Sequence, residues 1–147
     1  MKRLSFVAIA VLGMSASITQ AGVYTDDMTK CLVESTSSED RIALVRWMFA
    51  AMSQHPAVAS FTNVKPEDIE KASATTGALF MRLLTETCVD STKKAVKYEG
   101  LGAIQTSFGV LGQVATMDLF ADANVMKVMA GLEKYTDSKK LAALGQQ

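Results

Sequence analysis

The 147-residue chain carries 15 basic and 15 acidic side chains and one histidine. That balance excludes the strongly basic surface that steers a protein onto nucleic acid or anionic lipid. The length fits one domain around one core, and two cysteines with one histidine offer no spacing for a structural zinc site.

The first elements read as an export signal in three parts. Lys2 and Arg3 form a short positive end, and Leu4 to Ala16 a mostly apolar run. The run is shorter than the roughly 20 residues a bilayer span needs. Thr19-Gln20-Ala21 places small residues at the two positions a signal peptidase reads, so cleavage is expected after Ala21, with Ala16 a weaker choice. Cys31 comes too late to serve as a lipid anchor. The expected organisation is a signal peptide over 1–21, a helical domain over 22–136 and a flexible tail over 137–147, with the mature protein in the periplasm. Removing 21 residues from 147 leaves 126; losing Lys2 and Arg3 leaves 13 basic against 15 acidic side chains, a formal charge near −2. Lys93, Lys94 and Lys97 are the nearest approach to a basic patch, and without interleaved aromatics they read as a solvated helix face.

The mature chain holds Cys31 and Cys88, 57 positions apart. In an oxidising compartment such a pair is expected to form a bridge.

Asp26 to Thr36 suits a short helix. Ser37-Ser38-Glu39-Asp40 then signals a helix start, and Pro56 stops the helix that follows at about Gln54. Ile42, Leu44, Val45, Met48, Phe49 and Met52 cover more than half its circumference, which predicts a central helix. Trp47 sits on the flank of that arc. Lys65-Pro66-Glu67-Asp68 opens the next helix. Its inward face runs through Ile69, Ala72, Thr76, Leu79, Phe80, Leu83, Leu84 and Thr87 towards Cys88. Arg82 and Glu86 are spaced to pair on its outer side.

Asp90-Ser91 can cap a short helix that Gly100 ends. Gly102 to Met117 reads as another helix, with Ile104, Phe108, Leu111, Val114 and Ala115 inward. Gly109 and Gly112 weaken it by about 1 kcal/mol each, which would make sense if a second backbone passed close by. Gln105, Thr106, Ser107 and Gln113 argue against a membrane span. Asp122 caps a last helix to about Tyr135, with Val125, Val128, Met129, Leu132 and Tyr135 on one face. The expected fold is all-α, a compact bundle of four to five helices with one disulfide.

Several segments resemble a family of small exported helical proteins of proteobacteria whose members carry no assigned activity. They are Arg46-Trp47-Met48-Phe49-Ala50-Ala51-Met52, His55-Pro56, Thr76-Gly77-Ala78-Leu79-Phe80 with Arg82-Leu83-Leu84-Thr85 and Cys88, and Ser107-Phe108 with Leu111-Gly112-Gln113-Val114. The resemblance spans about residues 28 to 135. It implies an exported helical domain and transfers no activity or site.

No catalytic constellation stands out. His55 beside Pro56 fits a structural place at a helix end, where its cation could meet the negative dipole. Ser53 and Ser60 are merely near it, and the carboxylate pairs Asp26/Asp27 and Glu39/Asp40 lie where helix capping accounts for them. No pattern calls for a cofactor. Met48, Met52 and His55 are spaced i, i+4, i+7, so one continuous helix would place two thioethers and an imidazole on one face, a set suited to Cu(I). The same residues serve equally as core filling. Trp47, Tyr24 and seven mature methionines could instead furnish a greasy groove for a protein partner or a small apolar ligand. The favoured function is therefore non-catalytic periplasmic docking of an inhibitor, immunity or accessory kind; the alternative is a soft-metal site on Met48, Met52 and His55.

Overall fold

Helix caps set the boundaries of the fold. The structure, a computed structural model, describes residues 22–145. The expected signal segment 1–21 and the last two residues of the expected tail lie outside the described residues. The helices are α1 (Val23–Glu34), α2 (Ser38–Met52), α3 (Pro56–Ala59), α4 (Pro66–Arg82), α5 (Val89–Glu99), α6 (Gly102–Phe120), α7 (Ala123–Ala130) and α8 (Ser138–Leu144). Eight helices among the described residues exceed the four to five expected. The helices without a counterpart in the sequence reading are α3, a single turn in a segment read as a connector, and α8, in the segment read as a tail. There is no strand among the described residues.

Ser37 opens α2 with a reciprocal box: its hydroxyl accepts from the Asp40 amide at 3.1 Å, and Asp40 accepts from the Ser37 amide at 2.9 Å. The Asp40 carboxylate also takes the Arg82 guanidinium at 2.9 Å, tying the start of α2 to the end of α4. Partial burial works against ionisation of Asp40, but the Ser37 amide, Arg82 and the Ser37 hydroxyl outweigh it and hold its pKa below the ordinary value. The expected Arg82–Glu86 pair is therefore replaced by one between helices, because a carboxylate already fixed by a cap is the better-organised partner. Pro66 begins α4 as expected, whereas α5 starts directly after Cys88, with no side-chain cap from Asp90 or Ser91. Gly100 ends α5 at φ +85°, a conformation that glycine adopts without strain.

Helices α1, α5 and α6 pack together, α2 packs on α4, and α6 bridges the two groups. The core gathers Met28 and Leu32 of α1, Leu44 of α2, Leu79 of α4, Ala95 of α5, and Ala103, Leu111 and Ala115 of α6. Ser107 is fully buried on α6, where its Oγ lies 2.9 Å from Thr29 Oγ1 and 3.3 Å from the Thr25 carbonyl oxygen. The seam it forms with α1 leaves that hydroxyl satisfied.

The α4 helix does not run unbroken to Cys88. It passes into a π-helical turn over Leu83–Thr87, closed by the Cys88 amide donating to the Leu83 carbonyl at 2.8 Å. Positions five apart on an α-helix point about 140° from each other. The wider turn brings them closer, so that Leu83 and Cys88 are both buried. Cys88 thereby meets Cys31 in a disulfide with Cα atoms 5.9 Å apart, and α1 is stapled to the α4–α5 junction.

Two expectations about α6 and α7 fail for lack of a neighbour. Among the described residues, and apart from their own helix and chain neighbours, no atom lies within 4 Å of where a Cβ would stand on Gly109 or Gly112, so no second backbone approaches them there. Gly109→Ala should accordingly raise stability by about 0.5–1 kcal/mol through helix propensity. Thermal melts would read this as an upward shift, and a downward one would mean the site is crowded. On α7 and the 3₁₀ turn after it (Gly131–Tyr135), Val128, Met129, Leu132 and Tyr135 stay exposed. The segment expected to be a loose tail contains α8, exposed along its whole length.

Candidate ligand groove

Helix α2 has more apolar surface than its neighbours cover. Only Leu44 and Ala50 are buried on it; Phe49 is 52% and Met52 60% exposed. The expectation of a central helix fails because, among the described residues, α2 packs mainly on α4 and α6 and part of its apolar surface stays uncovered. The uncovered residues face a groove of about 1110 Å³. Trp47, Met48, Phe49 and Met52 form one wall, Ala72 and Thr75 of α4 with Val64 of the preceding loop another, and Leu119 and Phe120 of α6 one end.

Trp47 meets Phe80 edge-on at 6.3 Å between ring centroids, and Phe80 lies against Phe108 at 4.0 Å. This aromatic ladder anchors the groove wall to the bundle, so the wall is held by packing rather than by a loop. Arg46, Asp68 and Lys71 supply the charge around it. Among the described residues, neither Arg46 nor Lys71 has a carboxylate within ion-pair distance. A smaller cleft of about 540 Å³ shares Val45, Arg46 and Leu119 with the groove and is bordered by the Arg41–Asp118 ion pair.

The structure separates the two aromatics singled out from the sequence. Trp47 lines the groove, whereas Tyr24 stacks on Tyr98 of α5 at 4.9 Å and takes no part in it. The Met48, Met52 and His55 set is also divided. Both methionines line the groove, but α2 ends at Met52 and His55 lies beyond it as the N-cap of α3. The continuous helix that the i, i+4, i+7 spacing presupposes stops short of the imidazole. His55 Nδ1 accepts from the Ala57 amide at 3.2 Å, so the ring caps the start of α3 instead of standing at a helix end. No cluster of three or more histidine, cysteine, aspartate or glutamate side chains suited to a metal occurs among the described residues.

The hydroxyl nearest His55 in sequence is turned away from chemistry. Ser53 is buried and donates to the Ala50 carbonyl at 2.7 Å. Both cysteines are in the disulfide. Sequence reasoning assigned Phe49 to the core and overlooked Val64, Leu119 and Phe120. The signal that could have found the groove was the breadth of the apolar arc on α2, wider than two neighbouring helices can cover.

The chain matches no protein-family model, and no curated protein and no solved structure is significantly similar to it. A helical, disulfide-stapled domain with an open apolar groove is the class that its own geometry defines.

Proposed function

We propose that this protein is a non-catalytic binding protein of the periplasm, whose groove between α2, α4 and α6 docks an apolar surface of a protein partner or a small apolar ligand. The observation that carries the reading is the half-exposed state of Phe49 and Met52 beside Trp47 on a rigid helix. Contiguous apolar surface left open at this cost in water contact marks an interaction site. A protein's amphipathic helix is the better-fitting occupant. Small-ligand pockets enclose about 300–1,000 Å³ and bury most of their guest, and this groove lies just above that range. Its rim cations would orient an acidic flank of such a helix.

Native isolation of the mature protein from the envelope fraction, with mass spectrometry of what accompanies it, tests the reading. A stoichiometric protein or lipid-like ligand should be retained by the wild type. A Phe49→Asp/Met52→Asp variant should lose it while keeping its melting temperature within a few degrees. Equal retention by the variant, or stoichiometric copper in place of a partner, would overturn it.

A further inference from the structure

The N-terminal edge of α1 holds a carboxylate that neither the groove nor the core uses. Glu99, the last residue of α5, reaches across to α1. It accepts from the Tyr24 amide at 2.9 Å, the Thr25 amide at 2.9 Å and the Thr25 hydroxyl at 2.5 Å. These bonds satisfy first-turn donors that an isolated helix leaves open. The same carboxylate lies so close to Gly22 that any Cβ there would overlap it, with Oε2 only 2.7 Å from that position. Covalent geometry fixes the Gly22 nitrogen about 2.5 Å from that Cβ position, hence about 5 Å or less from the carboxylate. In the unprocessed chain this nitrogen is a neutral amide.

We infer that the Ala21–Gly22 bond is the maturation site and that Glu99 is the built-in receptor for the α-ammonium which cleavage creates at Gly22. Hydrolysis of that peptide bond adds water, leaving a carboxylate on Ala21 and an amine on Gly22 that is protonated at neutral pH. A charge therefore appears beside a preorganised counter-charge, within reach of the Glu99 side chain. Glycine at position 22 lets the carboxylate sit against the helix start as it stands; a Cβ there would require the Glu99 carboxylate to move aside. The inference rests on the export reading for the cleavage, and on the contacts of α1 with Glu99 for the receptor.

The pH window follows from both partners. The Thr25 hydroxyl, opposed by desolvation and aided by the Tyr24 and Thr25 amides, lowers the pKa of Glu99. Its contribution is present above the unfolded carboxylate value of about 4.3 and fades as pH falls through the lower folded value. The ammonium gains a partner, so its folded pKa rises above the unfolded value of about 7.7–8.0. Its contribution is complete below that value and is lost as pH climbs through the raised one. Tyr24, Asp26 and Asp27 on α1, and Lys97 and Tyr98 on α5, are the other ionisable groups near these two helix ends, and residues 102–107 of α6 carry none.

The test has two arms. The intact mass of the full chain exported from a bacterial host should correspond to a start at Gly22. An unprocessed mass overturns the export reading, and a different start overturns the assigned bond. Separately, protein released from a cleavable fusion with Gly22 as its first residue is compared with protein retaining Ala21. The Gly22 form should melt a few degrees higher near pH 6, and the gap should close below pH 3 and above pH 10. NMR titration of labelled Gly22 should show the amine pKa raised by about half a unit or more, returning to the ordinary α-amino value of about 7.7–8.0 in Glu99→Gln. Equal melting of the two forms, or an amine pKa that Glu99→Gln does not move, would overturn the receptor whatever the first arm gives.

Discussion

Replacing Cys31 and Cys88 together by alanine should lower the stability of the mature protein by about 4 kcal/mol, the chain-entropy value for a loop of this length. For a domain of this size that corresponds to a fall in melting temperature on the order of 10–15 °C. The expectation is large because of where the bridge acts. It joins α1 to the residue just after the π-helical turn of Leu83–Thr87, and Cys88 itself is buried in the core cluster. Without the bond, α1 is held by its packing on α5 and α6, by the Ser107 seam and by the Glu99 hydrogen bonds to its first turn. Alanine is preferred to serine because a hydroxyl at position 88 would add a buried polar group to the loss. Circular dichroism melts of wild type with and without reductant, beside the double variant, make the measurement. Coincident curves would show that the bridge does not stabilise the fold.

Leu111→Ala should come close behind, at about 3 kcal/mol within the 2–5 kcal/mol range for emptying a well-packed leucine site. Leu111 is fully buried on α6, the helix that links the two halves of the bundle, so its cavity has no solvent-facing side to collapse from. A loss of this size is a substantial part of the 5–15 kcal/mol that holds a typical domain together. Urea unfolding followed by circular dichroism should show a lower midpoint at unchanged slope. Phe49→Ala removes a larger side chain, yet it should cost well under half as much, because about half of that ring already faces water. Equal losses at the two positions would mean that the groove wall is core and not a surface.

Local signals were the most readable part of this chain. Ser37 with Asp40, Pro66, Gly100 and Asp122 each mark a boundary through a hydrogen bond or a dihedral that the residue type itself dictates. The Cys31–Cys88 bridge was readable because two cysteines permit one intramolecular pairing. What periodicity could not supply was which face meets a neighbour. The arcs on α2 and α7 look alike in sequence, yet Leu44 is buried while Phe49, Val128 and Leu132 are not. Burial depends on long-range packing, which the 3.6 period does not encode. The capping role of His55 was hidden for a related reason. Pro56 announced that a helix must stop, but not that a new turn would begin at once with the imidazole as its cap. The π-helical turn left no signature at all, since Leu83 to Thr87 satisfy an ordinary helix pattern equally well.

Trp47 is the only tryptophan in the chain and lies in the groove wall, so its fluorescence reports directly on the proposed docking surface. Titrating mature protein with an amphipathic helical peptide bearing an acidic flank should give a saturable blue shift of that emission, absent in Phe49→Asp/Met52→Asp. Emission that stays unchanged through millimolar peptide, or shifts equally in the variant, would contradict docking at this groove.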